Sequence, residues 1–179
     1  MKSTRFPRLE TARLRLTPLA ESDFDDYAAL HADPEVTRHL LWPPRSRERA
    51  WIDLAFQNGH WHFRGYGLWA LRLRGSGAFV GAAGFSNPPG WPGFELSWVL
   101  ARRWWGNGYA TEAARAALDH AFTTLGQERV ISLIDPANAP SIRVAERLGE
   151  TLQGETQMSG RTFLIYAIHR QEAFSRRNG

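Results

Sequence analysis

Two hydrophobic periods divide the chain. "ARLRLTPL" (12–19) places leucines at 14 and 16 between polar neighbours, the two-residue period of a half-buried strand. "ESDFDDYAALHAD" (21–33) follows as a helix, acidic in its first turn and with Ser22 in the N-cap position. A second helix is expected from Ser46 to about residue 57, closed by "NGHWHFRGYG". "LWALRLR" (68–74) and "AFVGAAGF" (78–85) flank Gly-Ser-Gly and predict a hairpin. The prolines and glycines of "NPPGWPG" (87–93) predict a loop. An apolar strand at 94–100, a helix over about 111–125 and a strand at 129–135 come next. "NAPSIRVAERLG" (138–149) predicts a shorter helix, with Asn138 as N-cap, Pro140 in the first turn and Gly149 as its stop. Residues 151–157 and 161–169 predict a last hairpin across Ser-Gly. The order β-α-α-β-β-β-α-β-α-β-β is that of a mixed sheet with helices packed on it, α/β or α+β.

Length and composition narrow the classes. A chain of 179 residues is expected to form one domain, 1–179, with a core large enough to need no staples. It has no cysteine, which excludes disulfides and thiolate metal sites. "MKSTRFPRLE" has no apolar signal core and no stretch reaches the roughly 20 apolar residues of a membrane span, so a cytoplasmic protein is expected. Net charge is +4, and every basic residue but Lys2 is arginine. The arginines are scattered singly or in pairs such as Arg102-Arg103, which argues against a nucleic-acid stripe.

The junction between the 94–100 strand and the next helix carries the chemistry. It reads "WWGNGYATEA" (104–113). The first N–H groups of a helix lack internal partners, and its N-terminus carries partial positive charge. Glycines at 106 and 108 allow the backbone to turn those groups outward with no Cβ in the way, which suits a phosphate or pyrophosphate. Two phosphate-binding arrangements compete. "GNGYAT" resembles a dinucleotide fingerprint, with Asp135 at the end of the next strand as its ribose-binding acid. Against it, Thr111 stands where that pattern wants Gly or Ala, and about 30 residues after the last helix are too few for a doubly wound sheet.

The other pattern is Arg-x-x-Gly-x-Gly/Ala, here Arg103, Gly106 and Gly108. On it, and on "LETARLRLTPLAESDFDDYAALHADPEV", "FVGAAGF", "FELSWVLARRWWGNGYATEA" and "NAPSIRVAERLG" in that order, the chain resembles the GNAT superfamily of acyl-CoA-dependent N-acetyltransferases. The likeness is to the branch that acetylates ribosomal-protein N-termini. It implies a mostly antiparallel central sheet with two splayed strands and helices on both faces, and acetyl-CoA as cofactor. The pyrophosphate would lie on Arg103, Trp104, Trp105, Gly106, Asn107 and Gly108 and on the first turn, Tyr109, Ala110 and Thr111. Trp98, Val99 and Leu100 would line the pantetheine, with an N–H near Val99 or Leu100 facing the thioester oxygen. Asn138 would contact the pantetheine, and Arg143 would reach a phosphate.

The resemblance also assigns roles. Glu95 is the implied general base, with Ser97 beside it on the same strand face. The tyrosine that many members use as general acid is replaced by Ala145, so Ser141, one turn earlier, becomes the candidate hydroxyl; it serves equally as a helix-capping residue. Glu150 stands where the family has Phe, which puts the packing of the last hairpin in question. The acceptor amine, a protein N-terminus or a small molecule, would lie near Trp42 and Trp51, with Trp61, His60, His62 and Phe63 either lining the same groove or serving as core. No metal site is expected, because His60 and His62 lack a helical ligand spacing. Monomer and homodimer, and a non-catalytic acyl-CoA sensor on the same fold, stay open as alternatives.

Overall fold

The structure, a computed structural model, describes residues 6–175. Among them, β1 (Leu9–Glu10), β2 (Leu14–Pro18), β3 (Leu68–Leu73), β4 (Phe79–Ser86), β5 (Glu95–Leu100), β6 (Arg129–Ile134), β7 (Thr151–Met158) and β8 (Arg161–His169) form one sheet, ordered β1-β2-β3-β4-β5-β6-β8-β7. Every neighbouring pair is antiparallel except β5–β6. A doubly wound parallel sheet is therefore ruled out, and the dinucleotide reading goes with it.

The helices depart from expectation where tertiary contacts override local pattern. Residues Glu21–Asp23 make a 3-10 turn before α1 (Phe24–Ala32), and the Asp23 carboxylate, not Ser22, accepts the Ala20 N–H at 2.9 Å. A short α2 (Pro34–Thr37), unforeseen in the sequence, starts where Asp33 accepts the Glu35 N–H at 2.9 Å. The next helix, α3 (Arg47–Arg64), is capped by Ser46 as expected but runs through Asn58-Gly59 to stop at Gly65. Burial explains the extension: Trp61 packs against Trp69 with ring centroids 5.0 Å apart and donates to the Leu68 carbonyl at 2.9 Å, outweighing roughly 1 kcal/mol of helix penalty at Gly59. Trp61 is thus core and not groove. The remaining helices are α4 (Tyr109–Thr123), α5 (Ala139–Leu148) and the unforeseen α6 (Arg170–Ser175). Asn138 caps α5 and Gly149 stops it, both as expected.

Helices cover both faces. Ala113, Ala114, Ala117 and Ala121 of α4 press close to Leu16, Trp69, Leu71, Phe85 and Leu96 on one face. On the other, Tyr27, Leu30 and Leu54 from α1 and α3 pack on Leu68, Ala70 and Ala82.

One irregularity positions everything that follows. β5 pairs with β4 along its whole length, but with β6 only at Glu95–Ile131, where the Ile131 N–H donates to the Phe94 carbonyl at 3.0 Å. Beyond that point β6 stays with β8, and the two parallel strands diverge.

Candidate active site

At the end of β5 the chain turns through Arg102–Trp104 and the two glycines into α4. Gly106 and Gly108 both adopt φ of +77°, the left-handed region that side chains disfavour. A Cβ on Gly106 would meet nothing within 4 Å. The side chains around them shape the loop: Trp104 Nε1 donates to the Phe79 carbonyl at 2.9 Å, and Trp105 Nε1 to the Leu100 carbonyl at 2.8 Å. Asn107 Nδ2 donates to the carbonyls of Trp104 and Trp105. Arg103 reaches back to the Phe79 carbonyl at 3.3 Å. The backbone is what remains for a ligand. The first α4 bond inside this turn runs from Glu112 N–H to the Gly108 carbonyl, so the N–H groups of Tyr109, Ala110 and Thr111 have no helical acceptor, and Gly108 has no side chain to cap them. The Thr111 hydroxyl is buried without a partner. These donors fit an anion such as a pyrophosphate.

Sequence reasoning missed what braces this cradle. Arg13, at the edge of β2, stacks over the Tyr109 ring at 4.5 Å, donates to the Asn107 carbonyl at 3.0 Å and pairs with Glu112 at 2.6 Å. Glu112 also accepts the Thr11 hydroxyl at 2.6 Å. Partial burial pushes its pKa upward, but the hydrogen bonds from Thr11 and Arg13 and the Arg13 charge prevail and hold it below the usual range. Residues about 100 positions apart leave no local signal.

The divergence of β5 and β6 opens a cleft of about 120 Å³ lined by His39, Trp91, Glu95, Ser97, Trp98, Ser132, Asn138 and Ser141 among others. Strand groups alternate sides, and the Phe94 carbonyl faces β6; the N–H groups of Trp98 and Leu100 therefore face the opening, while that of Val99 faces β4. Of the apolar trio expected here, Trp98 lines the cleft, Val99 lines the larger cavity beyond it, and the Leu100 side chain is buried in the α4-side core.

Glu95 sits where the two strands still touch. Its carboxyl is buried, and burial raises its pKa from 4.5 to about 7, against the opposing hydrogen bonds from Trp91 Nε1, at 2.6 Å, and from the Leu133 N–H. Ser97 joins it on the same wall. Across the opening, Asn138 Oδ1 accepts the Ser141 N–H at 3.2 Å while both side chains line the cleft; Arg143 is exposed and in no ion pair among the described residues. Asp135, the ribose acid of the rejected alternative, is held instead by His39 at 3.2 Å and Arg161 at 2.7 Å. Glu150 does not disturb the last hairpin. It is buried against Ser132, whose oxygen lies 3.0 Å from its own.

On the α1–α3 side of β5 lies a cavity of about 770 Å³. Trp42, Ile52, Phe56, Trp91, Trp98 and Val99 supply its apolar wall, and Glu95 and Ser97 line it too. Of the other candidates for this groove, Trp51 stands off it, edge-on to Phe24 at 5.1 Å. His60 packs edge-on against Phe56 and His62 against Phe6, while Phe63 is exposed to solvent. Among the described residues no cluster of His, Asp or Glu is arranged to hold a metal, and no helix is long and apolar enough to cross a membrane.

Comparison with known proteins agrees with this fold. Residues 13–151 match the profile of the acetyltransferase (GNAT) domain. An acetyltransferase from Agrobacterium tumefaciens superposes with a TM-score of 0.83 at 36% identity, over 91% of this chain and 94% of that one. The uncharacterised protein YkkB of Bacillus subtilis is 36% identical over 148 residues, 79% of this chain and 84% of its own. Mycobacterium smegmatis RimJ in complex with CoA-disulfide shares the fold, with a TM-score of 0.75 at 20% identity over 89% and 83% of the two chains. The chain belongs to the GNAT acetyltransferases and is an acetyl-CoA-dependent N-acetyltransferase.

Proposed function

We propose that Glu95 is the general base of this enzyme and that its acceptor is a primary amine carried on an apolar body, seated in the 770 Å³ cavity. One observation carries the reading: the same buried carboxyl lines both the strand cleft and the acceptor-sized cavity, with a pKa of about 7. A base poised near neutrality can take the proton that an attacking amine must lose.

The bound cofactor supplies an activated acetyl thioester. The N–H groups of Tyr109 to Thr111 and the Thr111 hydroxyl would hold its pyrophosphate, with Arg13 beside them. Trp98 and Asn138, which line the cleft, would flank its acyl arm. The Trp98 N–H, directed into the opening, would be a fixed donor that stabilises negative charge developing on the thioester oxygen. Ser97 and Glu95 orient the amine, and the aromatic wall excludes water.

The cavity also speaks to the acceptor. Besides Glu95, the carboxylate on its wall is Asp53, already taken by Tyr27 and Arg45, which leaves little to attract a second or third positive charge. Gln57 Oε1 is buried on the wall without a partner and is free to accept one N–H or O–H from the substrate. A peptide N-terminus with an apolar first residue and a small aryl or alkyl amine both fit; a polyamine does not.

Thiol release from acetyl-CoA over a panel of hydrophobic amines, N-terminal peptides and polyamines tests this. Glu95→Gln should lower kcat by roughly 10²-fold or more and leave the acetyl-CoA Kd within about threefold. Polyamines outpacing every apolar amine, or full activity in the variant, would refute it.

A further inference from the structure

We infer that His39, held by Asp135, hands a proton to the departing thiol. The inference rests on the acetyl-transfer reading above, and adds a residue with no place in it.

His39 lies between α2 and α3, half-buried at the mouth of the strand cleft. Its Nδ1 stands 3.2 Å from Asp135 Oδ2, just past the end of β6. A carboxylate can only accept, so Nδ1 carries the proton, and Nε2 is the nitrogen left to exchange one. Among the described residues no side chain or backbone group bonds Nε2. Among the described residues, the charged side chains that line the cleft with His39 are Asp135 and Glu95 of β5, and Arg161 of β8 holds the same Asp135 oxygen at 2.7 Å.

Position assigns the role. Glu95, Ser97 and Trp98 line both the cleft and the large acceptor cavity. His39, Asp135, Asn138 and Ser141 line the cleft alone, on the side of the α5 N-terminus. An amine therefore approaches from the Glu95 side, and the sulfur leaves toward His39. The α5 position where the resemblance implies an acid holds Ala145, buried and without a proton to give.

In the step, the acceptor nitrogen bonds to the acetyl carbon, and the carbon–sulfur bond breaks with its electron pair going to sulfur. Glu95 takes the proton lost by nitrogen. The His39 ring, protonated on both nitrogens, gives its Nε2 proton to sulfur and keeps its Nδ1 proton hydrogen-bonded to Asp135, and exchange with solvent resets both Glu95 and His39.

The test uses free coenzyme A and needs no acceptor. The chain has no cysteine, so the ultraviolet absorbance of a thiolate reports the ligand's sulfur alone. A free thiol titrates near about 8.5, and a neighbouring imidazolium lowers that value by stabilising the thiolate. With the unaltered protein, bound coenzyme A should titrate at least about one pH unit below the free thiol. His39→Gln should return it to the free value while the Kd for coenzyme A, by calorimetry, stays within about threefold. Asp135→Asn should weaken the effect, and Ser141→Ala should keep it. Binding with an unchanged thiol titration, a lowered titration that survives His39→Gln, or one that disappears with Ser141→Ala overturns the inference alone. No binding of coenzyme A to the unaltered protein takes the acetyl-transfer reading down with it.

Discussion

Glu150 Oε1 and Ser132 Oγ lie 3.0 Å apart beneath the point where β5 and β6 separate, and Ser132 Oγ is also 3.0 Å from the Leu96 carbonyl. A hydroxyl has one proton. The carbonyl can only accept, so Ser132 donates to it, and the proton shared with Glu150 belongs to the acid. Burial raises the Glu150 pKa to about 8, in agreement, and its second oxygen has no partner. The Ser132 hydroxyl thus ties β6 to β5 where regular ladder bonds stop, and the neutral acid of Glu150 holds that hydroxyl in place.

The sign of the pH effect follows. Unfolded, Glu150 ionises near 4.5; folded, near 8. Between those values the folded state binds the extra proton, so stability falls as pH rises through that window. Glu150→Gln keeps a donor to Ser132 and removes the titration. Each tenfold difference in proton affinity between the folded and unfolded chain is worth about 1.4 kcal/mol. Urea unfolding at pH 5 and pH 8 should therefore show the unaltered protein losing a few kcal/mol more than the variant. Parallel losses in the two proteins would mean that Glu150 is ionised in the fold.

Glu95 titrates by the same physics but is read through activity. With the carboxylate as base, kcat/KM should rise with pH through a midpoint near 7. Trp91 donates to Glu95 at 2.6 Å and so favours the charged form. Trp91→Phe should move the midpoint toward alkaline pH by about half a pH unit to one. A midpoint that stays in place, or moves acidic, would remove Glu95 from the rate-controlling protonation.

What the sequence disclosed depended on how local each signal is. The β3–β4 hairpin, the Asn138 cap and the Gly106-Asn107-Gly108 turn are written within a few residues, and each was legible. The splay and the sheet type came through resemblance, because nothing in "FELSWVL" itself says that β5 parts from β6 after Glu95. His39 carried no signal at all, since its partner Asp135 is 96 positions away and only the fold joins them. Arg13 and Glu112 were invisible for the same reason. Polar burial misled once: Glu150 reads as a disruption of an apolar site, yet a protonated carboxyl with a hydroxyl partner fills it.

Gly81 and Gly106 separate two costs of adding one methyl group. An ideal Cβ on Gly81 would fall 2.1 Å from the Val99 carbonyl oxygen, in the β4–β5 pairing that shapes the cleft. Backbone cannot yield that distance cheaply, so Gly81→Ala should cost several kcal/mol or prevent folding. Gly106→Ala meets no atom but must hold φ of +77°, which costs about 1 kcal/mol. Its larger effect should be on acetyl-CoA, through a cradle less able to turn its N–H groups outward. Thermal melts with and without acetyl-CoA distinguish the two. Equal melting losses would sink the close-approach argument.

Trp42 and Trp51 look alike in the sequence and are both about half-exposed, but only Trp42 lines the large cavity. Trp51 faces Phe24 on the opposite side of α3. If the cavity seats the acceptor, truncating Trp42 removes apolar contact from the substrate's body, while truncating Trp51 costs surface packing alone. Losing one such aromatic contact is worth about 1–3 kcal/mol, or roughly tenfold to two-hundredfold in binding. Trp42→Ala should therefore raise the acceptor KM by at least about tenfold and leave the acetyl-CoA KM within about twofold, whereas Trp51→Ala should change neither beyond that. Steady-state kinetics with the best amine from the panel decides it. Equal effects of the two substitutions would place the acceptor elsewhere, and a selective effect on acetyl-CoA would give the cavity to the acyl donor instead.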